Sequence, residues 1–235
     1  MSRRAEHHTA LRALDARGVR AYLTARSGLP GPRADLGLVE AFADVAPPDL
    51  VLALADEPDE YLRCCGTAGL GRLLLEGHDV LDLLRARAAD PLWRVREAVA
   101  MALQRLGDAD PEAVRRVVAA WATDPHPLVR RAAVAGVCEP RLLRDLATAH
   151  AALAACAAAT ASIEALPAPA RRDPDVRTLR QALGYCWSVA VAGDPAAGLP
   201  AFDALTASPD PDTAWVVRQN RTKARLRRLL DEETR

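Results

Sequence analysis

Five times along this chain an acidic residue and a proline are followed, a few positions later, by an apolar residue and an arginine. The element reads Glu57-Pro58…Leu62-Arg63, Asp90-Pro91…Val95-Arg96 and Asp124-Pro125…Val129-Arg130, and more loosely Asp173-Pro174…Leu179-Arg180 and Asp210-Pro211…Val217-Arg218. Asp90 and Asp124 are 34 residues apart, as are Arg96 and Arg130, and the next two acidic intervals are 49 and 37. A period in this range marks an array of helical repeats. The element is chemically a helix start: an aspartate accepts hydrogen bonds from the first free backbone N–H groups, and proline has no N–H to leave unpaired there.

The runs that follow have helical spacing. Val95, Ala98, Val99, Ala102, Leu103 and Leu106 fall at i, i+3, i+4, i+7, i+8 and i+11, and Val129, Ala132, Ala133, Gly136 and Val137 repeat the pattern. Each is one apolar stripe on a polar helix. A partner helix is expected before each, at 48–55, 79–89, 111–123, 140–165 and 195–207. One such pair cannot bury its stripe alone, whereas stacked pairs share a continuous core. Composition agrees: half the residues are apolar, chiefly Ala, Leu and Val, with few aromatics, which favours helix over strand.

The Asp90-Pro91-Leu92-Trp93-Arg94-Val95-Arg96 stretch resembles the signature of HEAT repeats. The resemblance implies an all-α fold, a right-handed α-α superhelix (an armadillo-like solenoid) of about five helix pairs. Residues 46–138 supply three regular repeats, and 139–235 two divergent ones closed by a basic C-terminal helix, in one continuous domain. Residues 1–45 lack the element. Two helices at 8–25 and 35–44 around the Gly/Pro-rich turn 27–33 suit an N-terminal cap, with a binding loop as the alternative. The resemblance also implies that Asp90, Arg96, Asp124 and Arg130 form a structural ladder between neighbouring repeats.

Charge narrows the function. With 31 basic and 31 acidic residues the formal net charge is zero, so binding to nucleic acid must rest on a local patch. No signal-peptide core opens the chain, and the Ala-rich run 150–161 is shorter than a membrane span requires. The five cysteines form no CxxC and fall mostly in apolar helical stretches, as expected of a reduced, cytoplasmic protein. GxSxG, P-loop, HExxH, GxGxxG and EF-hand signatures are absent. No metal and no cofactor is expected, and His7 and His8 are placed in a frayed terminus.

Four features can carry recognition. Residues 218–228 hold six cations and no acid; on one helix, Arg218, Arg221, Arg225 and Arg228 share a stripe that suits an acidic partner or the polar outer face of a last repeat. The second-helix arginines Arg63, Arg94, Arg96, Arg130 and Arg131 can form a positive track along a concave face or serve the ladder. Trp93 with Glu97 one turn later pairs an aromatic plane with a carboxylate. Residues 182–188 bring together Gly184, Tyr185 and Trp187, either in the core or at a surface.

The order of these landmarks is similar to that in the alkylpurine DNA glycosylases built from HEAT-like repeats. That resemblance implies a DNA cradle in which Trp93 and Glu97 match a Trp-x-x-x-Asp pair, with Glu97 as the catalytic carboxylate, Arg131 a DNA contact and Tyr185 a later aromatic. Two readings therefore stand: a monomeric, non-catalytic module whose concave face binds a protein or peptide, and a DNA-repair glycosylase. The repeat pattern and zero net charge favour the module.

Overall fold

The computed structural model describes residues 3–31 and 33–233, and every regular element among them is helical. The chain forms two compact units, Met1–Leu106 and Gly107–Arg235. The division falls inside the run of regular repeats, not at either domain boundary expected from sequence. The first unit holds α1 (Arg3–Arg12), α2 (Ala16–Arg26), α3 (Leu36–Val45), α4 (Pro48–Ala55), α5 (Glu60–Leu75), α6 (Leu81–Ala88) and most of α7 (Trp93–Ala109). The second holds α8 (Pro111–Trp121), α9 (Pro127–Val137), α10 (Leu146–Glu164), α11 (Pro174–Gly193), α12 (Pro195–Thr206), α13 (Pro211–Arg221) and α14 (Ala224–Glu233). Single-turn 3-10 helices at Leu142–Arg144 and Ala170–Arg172 precede α10 and α11.

Local chemistry accounts for the helix starts. Aspartates 59, 110, 145, 173, 194 and 210 each accept a backbone N–H in the first turn that follows. Proline occupies the first turn of α4, α8, α9, α11, α12 and α13. These caps satisfy donors that no intrahelical carbonyl can reach. At α9 the cap is His126, whose Nδ1 accepts from Leu128 N at 3.2 Å, while Asp124 Oδ1 accepts from His126 N at 2.8 Å.

The apolar stripes become the cores. Val95, Ala98, Val99, Ala102, Leu103 and Leu106 are all buried in the first unit, and Val129, Ala132, Ala133 and Val137 in the second. Glycines set two approaches in the first unit. A Cβ at Gly66 would lie 2.6 Å from Ala55 Cα in α4, and one at Gly71 would lie 2.7 Å from Ala102 Cα in α7. Neighbouring backbones are thus in contact, and any side chain there would force them apart.

The amino-terminal segment departs from expectation. The single helix expected at 8–25 is two, because Asp15 restarts the chain by accepting from Gly18 N at 2.7 Å. The terminus is docked, not frayed. His7 is buried with Nδ1 2.9 Å from Tyr22 Oη, and Leu11, Val19 and Leu23 are buried with it. Asp44 of α3 ties three elements together: it accepts from Arg4 at 2.7 Å, His8 at 2.8 Å and Arg105 of α7 at 2.7 Å. Burial pushes the Asp44 carboxyl up, but hydrogen bonds from Arg4, Arg105 and His8 outweigh it and hold the group below the usual carboxylate range. Pro32 of the turn 27–33 lies outside the described residues.

Another correction concerns α10. The Ala-rich run belongs to a 19-residue helix with a mean hydropathy of 1.5, long and apolar enough by composition to cross a membrane. Half of that window is buried inside the protein, where Ala152, Ala155, Cys156 and Ala159 belong to the core of the second unit. A core helix and a span share this composition because both shed water from every side.

Candidate functional site

In the first unit the candidates gather at the start of α7. Asp90 is buried; its Oδ1 accepts from Leu92 N at 2.9 Å and its Oδ2 from Arg63 Nη1 at 3.0 Å, with Arg87 Nη1 at 3.6 Å. Arg63 also donates to the Glu57 carbonyl at 2.6 Å, so it braces its own turn and reaches the next. Arg96 repeats the inner half of this arrangement, donating to the Asp90 carbonyl at 2.6 Å and the Pro91 carbonyl at 3.0 Å. Arg63 and Arg96 are therefore fasteners of the repeat turns.

Trp93 is 54% exposed, with the Arg94 guanidinium 4.5 Å from its ring centroid. Arg94 Nη1 donates to Glu60 at 2.9 Å, an ion pair shielded on both sides. The positive track expected along the second helices loses Arg63 and Arg94, since both are neutralised within the unit. Glu97 lies half-buried one turn beyond Trp93. Leu29 and Pro30 of the amino-terminal turn line a hollow of about 460 Å3 together with Glu60, Tyr61 and Arg94.

In the second unit Tyr185 and Trp187, two residues apart on α11, face opposite environments. Trp187 is 1% exposed, donates its indole N–H to Thr160 Oγ1 at 3.0 Å and meets Phe202 edge-on at 6.2 Å. It is a core residue and cannot contact a ligand, which corrects the expectation that it could. Tyr185 is 45% exposed, receives a hydrogen bond from Arg225 Nη2 at 3.0 Å, and has Arg225 and Lys223 at 5.3 and 5.8 Å from its ring. Gly184, just before Tyr185, allows α13 to approach, since a Cβ there would lie 2.9 Å from Trp215 Cζ3. The Arg180 guanidinium lies over the Trp215 ring at 4.7 Å, and Arg180 pairs with Asp212.

The C-terminal arginines do not share one stripe. The chain breaks between α13 and α14, where Thr222 Oγ1 donates back to the Gln219 carbonyl at 2.7 Å and Lys223 N to the Asn220 carbonyl at 2.9 Å. Arg218 and Arg221 end one helix, while Arg225 and Arg228 begin the next. Asn220, in the last turn of α13, is fully buried. Its amide donates to the Leu183 and Val216 carbonyls at 2.8 Å, and its Oδ1 accepts from Ser188 N at 2.8 Å. The cations around this break are clustered, and they share the lack of an ion pair among the described residues with Arg12, Arg17, Arg26, Arg144, Arg172 and Arg177 elsewhere in the chain. Arg218, Arg221, Lys223, Arg227 and Arg228 make no ion pair among the described residues, whereas Arg3, Arg4, Arg20, Arg63, Arg94, Arg105 and Arg115 each have an acidic partner.

The ladder continues in the second unit through a residue that sequence reasoning missed. Arg171, from the inserted 3-10 turn, donates to the Leu166 and Glu164 carbonyls at 2.8 and 2.7 Å and pairs with Asp210 of the following turn. This duplicates what Arg63 does for Asp90, yet the spacing differs, so the repeat pattern gave no signal for it. Arg130 sits at the expected ladder position but pairs with no acid among the described residues, so its ladder role is not realised. Arg131 beside it is half-buried on the same helix.

No group of three or more His, Cys, Asp or Glu side chains is arranged to hold a metal among the described residues. The five cysteines are buried thiols. Burial pushes the Cys64 thiol up to about 12 and raises Cys65 further from its ordinary range. Cys138 and Cys156, whose sulfurs are 3.8 Å apart, are raised as well, Cys138 chiefly by its contact with Cys156.

Paired helices, capped turns and arginines that lock one turn to the next define an all-α repeat protein. Residues 47–138 match the family model described as HEAT repeats, so this stretch of the chain is built of HEAT repeats. Two crystal structures of engineered proteins, both targets of the Northeast Structural Genomics Consortium, are similar to it. One is 13% identical over 98% of each chain with a TM-score of 0.40; the other is 12% identical over 98% of this chain and 100% of that one, at 0.38. No curated protein matches the chain.

Proposed function

We propose that the protein is a non-catalytic HEAT-repeat module that binds an acidic partner protein or peptide. The observation that carries this reading is the cluster of cations around the α13–α14 break that have no acidic partner among the described residues, flanked by exposed Tyr185. An arginine held without a counter-charge remains available to a carboxylate, and a tyrosine at the surface adds rigid contact area. This reading assigns the partner to the second unit, where Tyr185 is exposed and the cations of the α13–α14 break lie beside it. A protein partner is preferred to nucleic acid because the net charge is zero and long-range attraction to a polyanion is correspondingly small.

The test uses the full chain and a fluorescent poly-glutamate peptide, with a duplex DNA as the comparison. Saturable, salt-sensitive binding of the peptide is expected, weakened about tenfold or more in the triple variant Arg218→Glu, Arg221→Glu, Arg228→Glu. No binding at low salt, or equal binding by the variant, refutes the reading. Preference for the duplex moves it to nucleic acid.

The exposure of Trp93 and Tyr185 also supports the second reading, an alkylpurine DNA glycosylase with Glu97 stabilising the cationic sugar. It demands release of a methylated purine from duplex DNA, lost in Glu97→Gln; no release above background removes it.

A further inference from the structure

Arg130 is an arginine whose repeat partner never arrives. In the first unit the residue at this position braces its own turn: Arg63 donates to the Glu57 carbonyl and reaches Asp90, and Arg96 donates to the Asp90 and Pro91 carbonyls. Arg130 does neither. Its Nε is fully buried without a hydrogen-bond partner, and no ion pair compensates it among the described residues. The cause lies in the stretched fourth repeat, where 49 residues separate Asp124 from Asp173. Arg171 enters from the insertion and takes over the link to Asp210. Asp173, the acid that opens the next repeat element, accepts from Asp175 N at 2.7 Å and caps α11.

An open hollow of about 470 Å3 lies beside Arg130. Its lining carries both charges, Arg130 as the cation and Asp173 and Asp175 as the acids, with the His126 ring, whose Nδ1 accepts from Leu128 N, and with Leu166 and Pro169 among the apolar walls. His126 Nε2 stands 4.0 Å from Asp175, too far for a hydrogen bond, so the two side chains are close without closing on each other. A buried guanidinium N–H without an acceptor is costly, and a carboxylate meets that need in a geometry matched to its fork. A phosphate would also be held next to two carboxylates, and a simple cation next to Arg130. A ligand bearing both charges meets Arg130 and the two acids at once.

We propose that this cavity binds a small zwitterion of the α-amino acid class, with its carboxylate on Arg130, its ammonium on Asp173 and Asp175, and an apolar side chain against Leu166 and Pro169. The site uses none of the residues that carry the acidic-partner reading, so either can fail alone.

Calorimetric titration of the full chain with leucine tests it, alongside 4-methylpentanoate (no ammonium), 3-methylbutylamine (no carboxylate) and inorganic phosphate. Leucine is expected to bind saturably, and both half-ligands about tenfold or more weaker. Arg130→Gln is expected to lose leucine binding by a similar factor without a lower melting temperature, because it removes a charge that has no partner. Should that variant fail to fold, Asp175→Asn provides the second arm: leucine weakens while 4-methylpentanoate is unchanged. The proposal is overturned by absence of saturable leucine binding, by equal binding in Arg130→Gln, or by phosphate binding more tightly than leucine.

Discussion

Replacing Gly66 with alanine tests whether backbone contact between α4 and α5 holds the first unit together. On propensity alone the change should help, since alanine is favoured over glycine inside a helix by about 1 kcal/mol. Packing opposes it. The added methyl carbon would sit 2.6 Å from Ala55 Cα and closer still to the Ala55 nitrogen and the Leu54 carbonyl carbon. Carbon atoms pack at about 3.5–4.0 Å, so α5 must withdraw from α4 by about 1 Å. The obstacle is backbone, which cannot rotate aside as a side chain can. Overpacking costs about 1–3 kcal/mol and more where nothing yields. Taking the upper end and subtracting the propensity gain leaves a net loss of about 2 kcal/mol, or some 10 °C in melting temperature for a unit of this size. Gly37 is the control: it is exposed near the start of α3, and the nearest atom to its added methyl is an Asp35 oxygen at 3.4 Å. Gly37→Ala should stabilise by about 0.4–1 kcal/mol. Urea unfolding followed by far-ultraviolet circular dichroism measures both. A Gly66→Ala protein as stable as the parent, with an unchanged denaturant slope, would refute the argument that direct helix contact sets this packing.

Two further outcomes follow from the electrostatics. The Asp44 carboxyl lies below its usual range in the folded protein, so its contribution is present above the unfolded value near about 3.9 and is lost as pH falls through the folded one. Acid unfolding monitored between pH 6 and about 2 should therefore be less steep in Asp44→Asn, and a variant that tracks the parent throughout this window would contradict the assignment. The thiols offer the other. With Cys64 pushed up to about 12 and all five cysteines buried, a disulfide reagent at pH of about 8 should find essentially no reactive thiolate in the native protein and all five in urea. Stoichiometric reaction of any cysteine before unfolding would count against this packing.

The sequence by itself determined the helices. Asp-Pro starts, amphipathic stripes and small residues act over three to eleven positions, and a cap needs nothing beyond its own first turn. Observed helix bounds consequently fall within two residues of the expected ones for α4, α6, α8 and α12, while the run expected at 140–165 begins with a separate 3-10 turn and becomes α10 only at Leu146. Local signals also have blind spots. Asp15 splits the first expected helix, and the Thr222 turn splits the last, because hydrogen bonds to nearby backbone outweigh a continuous helical pattern.

Only the tertiary structure decided what each side chain does. Arg63, Arg94 and Arg218 look alike in the sequence, yet Asp90 claims the first, Glu60 the second, and no acid among the described residues the third. Tyr185 and Trp187 lie two positions apart on one helix, a rotation of about 200°, which sends one to solvent and the other against Thr160 and Phe202. Arg171 became the ladder residue of the fourth repeat, and Arg130 lost its partner, because an insertion moves acids in space by amounts no periodicity records. Helix formation is set by neighbours in sequence, whereas the fate of a charge is set by which acid the fold brings within about 4 Å.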